Sequence, residues 1–591
     1  MRELEVFPNL VTMFFTRAGE RGDAPFLWAK QDGAWVATSW TMAAKQVAAL
    51  AAALARLGLA RGDRVMLVSE NRPEWCIADL AIMAAGCITV PTYTTNTERD
   101  HAHILGDSGA RAVIVSTAKL ARTLLPAVLR STHCDIIIGI EPLGVGQQAG
   151  NVRFADWRGL IAARTADVAA CAAAADFTRD DLACIIYTSG TGGAPRGVRQ
   201  HHGAILHNVA GCTTVIAEDF GWDEEVFLSF LPLSHAYEHS GGQFFPIGLG
   251  GQIYYSEGLE KLASNIEEVR PTIMVVVPRL FEVLRTRILK QVGKQGRLPN
   301  YLMARALEIG GRDRRWRDLP MELILSRTLR PRIAQRFGGR LKAMVSGGAP
   351  LNPEVGRFFT ALGVTLLQGY GQTEAAPVIS CNRPSAGIKM DTVGPPLKGT
   401  EVRIADDGEI LVRGECVMHG YWRNPAETAR VLIDGWLHTG DIGHIDDAGR
   451  VVITDRKKDL LINDKGENVA PQRVEGMLTL EPEIVQAMVY GDQRPHVVAL
   501  VVPDADWARE WAEARNRPLA GLHDDPDFTR ALSAAVDRVN AGLSVTEKVR
   551  RIAIADEPFT IENEELTPSM KIRRHVIRKR YGARLDALYR R

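Results

Sequence analysis

Four short apolar runs in this chain each stop at a polar turn that contains glycine or proline. Leu182–Tyr187 runs into Thr188-Ser189-Gly190, Ile273–Val277 into Pro278-Arg279, Leu341–Val345 into Ser346-Gly347-Gly348, and Val364–Leu367 into Gln368-Gly369-Tyr370-Gly371. In open parallel sheets, ligands bind just beyond the carboxyl ends of the strands. Any one of these turns reads as a plain turn. Four with such concentrated polar residues are expected to form one shared pocket wall.

The rest of the chain supports a layered α/β arrangement. Ala-rich helical patterns such as Met42–Leu57 and Cys171–Ala175 alternate with strand-like runs at Arg64–Val68, Ala112–Val115 and Cys134–Ile138. That alternation predicts largely parallel sheets covered by helices. At 591 residues the chain is too long for one ordinary domain, and roughly 150 residues per domain gives a prior of three to four. Asp455-Arg456-Lys457-Lys458-Asp459 is a charged break between apolar runs. A smaller pattern follows it, with strands near Ala487–Tyr490 and Val497–Val502 and a helix near Phe528–Leu543. The expected architecture is a large N-terminal α/β domain over 1–455 and a small α+β C-terminal domain over 456–591.

Composition removes several classes. Lys and Arg total 71 against 70 Asp and Glu, so the balance does not describe a nucleic-acid binder. The eight cysteines show no CxxC spacing, and most lie in apolar stretches, which predicts buried reduced thiols in a cytoplasmic protein. The N-terminus has no basic-then-apolar signal pattern. The longest apolar stretches are broken before the ~20 residues needed to cross a bilayer, so any membrane contact is expected to be peripheral.

The segment Tyr187-Thr188-Ser189-Gly190-Thr191-Gly192-Gly193-Ala194-Pro195-Arg196-Gly197-Val198 carries the first chemistry. Its glycines let backbone N–H groups approach an anion. Thr188, Ser189 and Thr191 add hydroxyls, and Arg196 adds a permanent cation. A helical pattern begins near His202. No Gly-Lys-Ser/Thr is present, so this is not a Walker A loop. The segment resembles the phosphate-loop signature of the adenylate-forming superfamily, which includes acyl-CoA synthetases, luciferases and peptide-synthetase adenylation domains. It departs from that signature at Gly192, where the family has Thr, and at Arg196, where it has Lys.

Five further segments resemble that family's motifs in the family's order. Gly369-Tyr370-Gly371-Gln372-Thr373-Glu374 is similar to its second signature, which implies Tyr370 beside adenine, Thr373 on phosphate and Glu374 holding Mg²⁺. Ser346-Gly347-Gly348-Ala349-Pro350 resembles the loop along adenine and the acyl group, and the strand-end residue Gln368 joins this nucleotide-binding set. Gly435–Asp441 resembles the ribose motif, with Asp441 accepting from the diol and Arg456 following one strand later. Lys458 falls at the family's hinge. In Leu231–Glu238, His235 matches a residue beside the carboxylate substrate. Thr567-Pro568-Ser569-Met570-Lys571 resembles the C-terminal signature, whose lysine bridges carboxylate and α-phosphate.

The resemblance covers essentially the whole chain and implies ATP-dependent acyl-AMP formation, then transfer to coenzyme A, with a rotating small domain. The long helical stretch after Pro278, with Tyr301–Ile309 and Met321–Phe337, is most like the long-chain fatty acyl-CoA synthetases. Gln243–Gly248 reads either as the lining of an apolar acyl tunnel or as an ordinary core strand. His239 stands where one long-chain relative has a gating Trp. The basic tail from Lys571 to Arg591 reads as a solvated face or as a contact for anionic lipid or coenzyme A. The expected partner is a fatty acid and not nucleic acid; the sequence admits a homodimer without requiring one. Two rivals stay open: an adenylating enzyme with another acid or a carrier-protein acceptor, and a silent nucleotide- or lipid-binding protein.

Overall fold

The computed structural model describes residues 5–144, 148–149, 151–162, 167–188, 194–310, 315–457, 460–464, 467–567 and 571–590. Two eight-stranded sheets dominate it. One runs in the order Val378–Cys381, Leu366–Gly371, Ala343–Ser346, Ile273–Val276, Val226–Ser229, Gln252–Tyr255, Pro25–Gln31 and Ala34–Ser39. The other runs Arg196–His201, Leu182–Thr188, Ile88–Thr92, Arg64–Val68, Ala112–Val115, Ile136–Gly139, Val152–Asp156 and Gln148–Ala149. Both are parallel except at the two outer pairs, which are antiparallel. Central strands such as Ala112–Val115 and Ile273–Val276 are buried throughout, as strands covered on both faces must be.

The helices that cover these sheets start where the sequence offers caps. Ser39 accepts from the Met42 N–H ahead of Trp40–Arg56, and Thr97 forms a capping box with Asp100 ahead of Glu98–Ser108. A third, antiparallel sheet of five strands includes Glu409–Arg413, Trp436–Ile445 and Val451–Arg456.

Beyond it, residues from Leu461 onward build apolar cores of their own. These pack around the three-stranded sheet Ile484–Tyr490, Val497–Pro503 and Val549–Ile554. Among the described residues, no helix is long and apolar enough to cross a membrane.

Two local expectations change. Gln243–Gly248 is not a strand: a wide helical turn over His239–Phe244 leads into the helix Phe245–Leu249. The helix His202–Asp219 does not follow the phosphate loop directly. The chain first returns along Leu182–Thr188 as the antiparallel strand Arg196–His201, with Arg196 opposite Thr188. That hairpin keeps both ends of the loop at one sheet edge.

Candidate active site

Three of the four strand-end turns lie on adjacent strands of one sheet or at their ends, and the fourth rises from the other sheet. Three of the four turns share one cleft, of about 1830 Å³, lined by Thr188, Arg196, Gly347–Ala349, Gln368–Glu374 and residues of the C-terminal part. The Pro278-Arg279 turn is the exception. Pro278 opens a helix, Arg279 is exposed and pairs with Glu282, and it is Glu282 and Arg285 from that helix that reach the cleft.

One wall is held by side chains that bind each other. Tyr370 donates its hydroxyl to Asp441 Oδ2 at 2.6 Å, and Arg456 Nε donates to Asp441 Oδ1 at 3.1 Å. Asp441 and Arg456 face one another across the antiparallel ladder, so the sheet itself sets this pair. Asp441 is 4% exposed. Burial, then the neighbouring Asp441 charge, hold the Tyr370 hydroxyl well above its usual range, so it stays a donor.

Glu374 sits in the short turn Thr373–Ala375 and accepts from the Tyr421 hydroxyl at 2.8 Å. Two glycines are required here by close approach. A Cβ on Gly371 would lie 1.8 Å from the Pro377 carbonyl oxygen, and one on Gly347 would lie 2.7 Å from the Tyr237 ring.

The substrate-side residues are equally fixed. Asn71 donates to the Leu231 carbonyl at 2.6 Å and accepts from the Leu233 N–H at 3.0 Å, which pins the turn that presents His235. His235 Nδ1 accepts from the Tyr237 N–H at 3.1 Å, leaving Nε2 to carry the proton. Burial, then the nearby Lys571 charge, lower its pKa to about 4, so the ring is neutral at pH 7. The Tyr237 hydroxyl donates to the Val345 carbonyl at 2.9 Å, tying this turn to the Ser346-Gly347-Gly348 strand end.

Lys571 lines the same cleft, far along the chain from His235. Its N–H donates to Thr567 Oγ1 at 3.0 Å, and its carbonyl accepts from the Thr567 N–H at 2.8 Å. Just beyond it, Arg574 donates both guanidinium arms to Glu475 at 2.6 Å, a bidentate clamp that fixes the start of the helix Arg574–Ala587.

Arg196 donates to Glu427 at 2.8 Å, and its guanidinium lies 4.7 Å from the Tyr421 ring centre. The loop's cation is thereby tied to the wall that holds Glu374. Ser189, Gly190, Thr191, Gly192, Gly193 and Lys458 lie outside the described residues. Gln368 Oε1 and Gln372 Nε2 are buried at the cleft without a hydrogen-bond partner among the described residues. Buried polar atoms of that kind are normally satisfied, so they mark where a polar ligand fits.

Sequence reasoning missed Asn71, Tyr237, Tyr421 and Glu427. Each acts through a partner far away in the chain, and no local spacing signals that. Gln243, in the segment read either as acyl-tunnel lining or as a core strand, is fully buried and donates to Asp79 at 2.7 Å.

A cleft at the carboxyl ends of parallel strands, with a carboxylate–tyrosine–arginine set on one wall and a lysine delivered from a separate core, defines a nucleotide-handling enzyme of the two-part α/β kind. The comparisons place it within that class. The AMP-binding enzyme family matches residues 14–422, and the AMP-binding enzyme C-terminal domain matches residues 458–591. The chain belongs to the AMP-binding enzyme family.

It is 32% identical over 599 residues to the long-chain-fatty-acid–CoA ligase FadD15 of Mycobacterium tuberculosis, covering 98% of this chain and 97% of that protein. It is 30% identical to fatty acyl-CoA synthetase A of Dictyostelium discoideum, covering 97% of this chain and 87% of that one. The fold is shared with the adenylation domain of a Mycobacterium chelonae carboxylate reductase, at a TM-score of 0.76, 23% identity, and 99% and 92% coverage. It is also shared with the anthranilate CoA ligase AuaEII in complex with anthranoyl-AMP, at a TM-score of 0.71, 20% identity and 99% coverage of each chain.

Proposed function

We propose that this chain joins a long-chain fatty acid to coenzyme A at the expense of ATP, through an acyl-AMP intermediate. The observation that carries this reading is the arrival of Lys571 in one cleft with His235, Glu374 and the Asp441–Tyr370–Arg456 set. The full-length likeness to long-chain-fatty-acid–CoA ligases supports the acid class.

In the first step a carboxylate oxygen attacks the α-phosphorus, and the bond to the bridging oxygen breaks to release pyrophosphate. Asp441 accepts the ribose hydroxyls, and Thr188, Thr373 and Arg196 meet phosphate oxygens. Lys571 neutralises charge shared by carboxylate and α-phosphate. Neutral His235 offers Nε2–H beside it without adding a second positive charge. Such catalysis is positioning and electrostatics. In the second step the coenzyme A sulfur attacks the acyl carbon, AMP leaves and the thiol proton passes to water.

Glu374 suits Mg²⁺, since that ion takes one or two carboxylates with phosphate oxygens, and its carboxylate is already oriented by Tyr421. The metal would supply charge neutralisation on the phosphates. We place the moving unit at 456–591, turning near Lys458. Eight free cysteines fit a reducing, cytoplasmic setting.

The test is acid-dependent pyrophosphate–ATP exchange over a chain-length series, followed by thioester formation with free coenzyme A. Each buried CH₂ adds about 0.8 kcal/mol, so exchange should strengthen up to acids of about ten carbons and beyond. No exchange with any such acid would refute the substrate class. Exchange without thioester would refute the acceptor.

A further inference from the structure

Charge is segregated along this chain in a way its balance of +1 conceals. Residues 278–340 hold sixteen Arg and Lys against five Asp and Glu, a surplus of eleven, which leaves the remainder with a deficit of ten. This stretch forms the helices Pro278–Gly293, Arg297–Gly310, Leu319–Arg327 and Leu329–Arg336. Three of its five acids are already paired internally, Glu282 with Arg279, Glu308 with Arg305 and Glu322 with Arg330.

The same stretch exposes apolar side chains that a free surface does not explain. Of eighteen large apolar residues exposed among the described ones, seven fall within 289–324. Trp316 is 84% exposed, Leu319 67% and Leu323 54%, recurring at helical spacing, while Leu325 on the opposite face is fully buried. Leu298 and Tyr301, at 67% and 53%, are exposed on the helix before it. Arg315, Arg317 and Arg327, all exposed, flank the stripe.

A Trp/Leu stripe bordered by arginines is the pattern of a surface that lies in a lipid headgroup layer, with the apolar edge inserted and the cations on anionic lipid. We propose that the surface carrying Trp316, Leu319 and Leu323 with Arg315, Arg317 and Arg327 docks on an anionic membrane surface. The arginine surplus selects lipid over a second copy of the chain, because two such faces would repel each other. The helix that carries Leu289 also carries Glu282 and Arg285 to the cleft, so docking brings the substrate-binding side close to the bilayer. By contrast, the C-terminal helix spends much of its charge internally: Arg574 pairs with Glu475, Arg580 with Glu557 and Arg584 with Asp556.

The test is co-sedimentation of the full chain with phosphatidylcholine vesicles, with and without phosphatidylglycerol, at low and high salt. Binding should require phosphatidylglycerol and fall with salt. Arg315→Gln/Arg317→Gln/Arg327→Gln should weaken partitioning about a hundredfold, at roughly fivefold per arginine. Trp316→Ser/Leu319→Ser/Leu323→Ser should weaken it more than about tenfold. Both variants should keep the wild-type melting temperature, since every side chain changed is exposed. Lys579→Gln/Arg590→Gln should bind vesicles like the wild type. The proposal fails if the wild type ignores anionic vesicles or if both face variants bind unchanged. It also fails if the tail variant alone loses binding, or if the stripe variant instead dissolves a dimer seen by light scattering.

Discussion

The cleft's two sides are built on opposite terms. On the wall of the large part, each acid that would face the nucleotide already has a partner: Asp441 is held by Tyr370 and Arg456, and Glu374 by Tyr421. These bonds join strands and turns of sheets that pack together, so apart from Arg456, at the boundary between the two parts, the wall is organised without help from the C-terminal part. Lys571 is different. Its backbone is hydrogen-bonded to Thr567, and the adjoining helix is anchored through Arg574 and Glu475 beside cores formed by residues from Leu461 onward. One side is a fixed template, and the other delivers a charge. A preorganised template lowers the reorganisation needed at the moment of reaction. A delivered cation can serve one half-reaction and leave before the other.

The largest test of that contrast is Lys571→Ala. Acyl-AMP formation should fall by at least about 10²–10³-fold, the usual loss for one preorganised donor. Thioester formation from supplied acyl-AMP should largely survive. Equal loss in both half-reactions would erase the distinction between template and delivered charge. Next comes Asp441→Asn, which removes a charged acceptor from the template while keeping its shape. Charge-assisted hydrogen bonds contribute about 1.5–3 kcal/mol, so ATP affinity should drop roughly ten- to a hundredfold. Both half-reactions should feel the change, because the proposed mechanism keeps the adenylate on this wall throughout. A defect confined to the first half-reaction would mean that Asp441 does not hold the nucleotide in both.

How much of this was legible in the sequence follows the same divide. The parallel α/β layering showed in apolar runs such as Ala112–Val115, because strands buried on both faces leave no polar alternation to confuse the reading. Strand ends were less legible. The run near Val364 begins its strand only at Leu366 and carries it on to Gly371, since pairing with Val378–Cys381 extends the ladder into the polar turn. Asp441 and Arg456 were named as site residues from motif likeness, but their direct bond depends on register across two strands. Tyr421 and Glu427 gave no signal at all: they reach Glu374 and Arg196 only because a distant loop folds back on the hairpin. Gln243–Gly248 misled, because its Phe, Pro and Ile suit an apolar wall of either type, and Gly241 and Gly242 before it permit the wide helical turn.

The smallest effect tests whether the template tolerates change beneath it. Glu238, one turn past His235, is 1% exposed; Ser229 donates to Oε1 at 2.6 Å, and Oε2 has no partner among the described residues. Burial raises its pKa to about 8, against an ordinary 4.5. The folded state therefore keeps this proton over a range where the unfolded chain has lost it, and Glu238 costs stability progressively as pH rises from about 4.5 to about 8. His235 works the other way: its pKa lowered to about 4 makes stability fall as pH drops below 6.5. Above pH 6.5 the Glu238 contribution remains, at about 2 kcal/mol between there and pH 8. Glu238→Gln keeps the shape and the bond from Ser229 but has no proton to lose. Thermal unfolding of the wild type should therefore weaken by a degree or two more than the variant between pH 6.5 and 8, with pyrophosphate exchange nearly unchanged. A parallel pH response in both proteins would show that Glu238 is ionised in the fold. A large loss of exchange would show that the wall depends on this acid directly, which would move Glu238 from beneath the template into it.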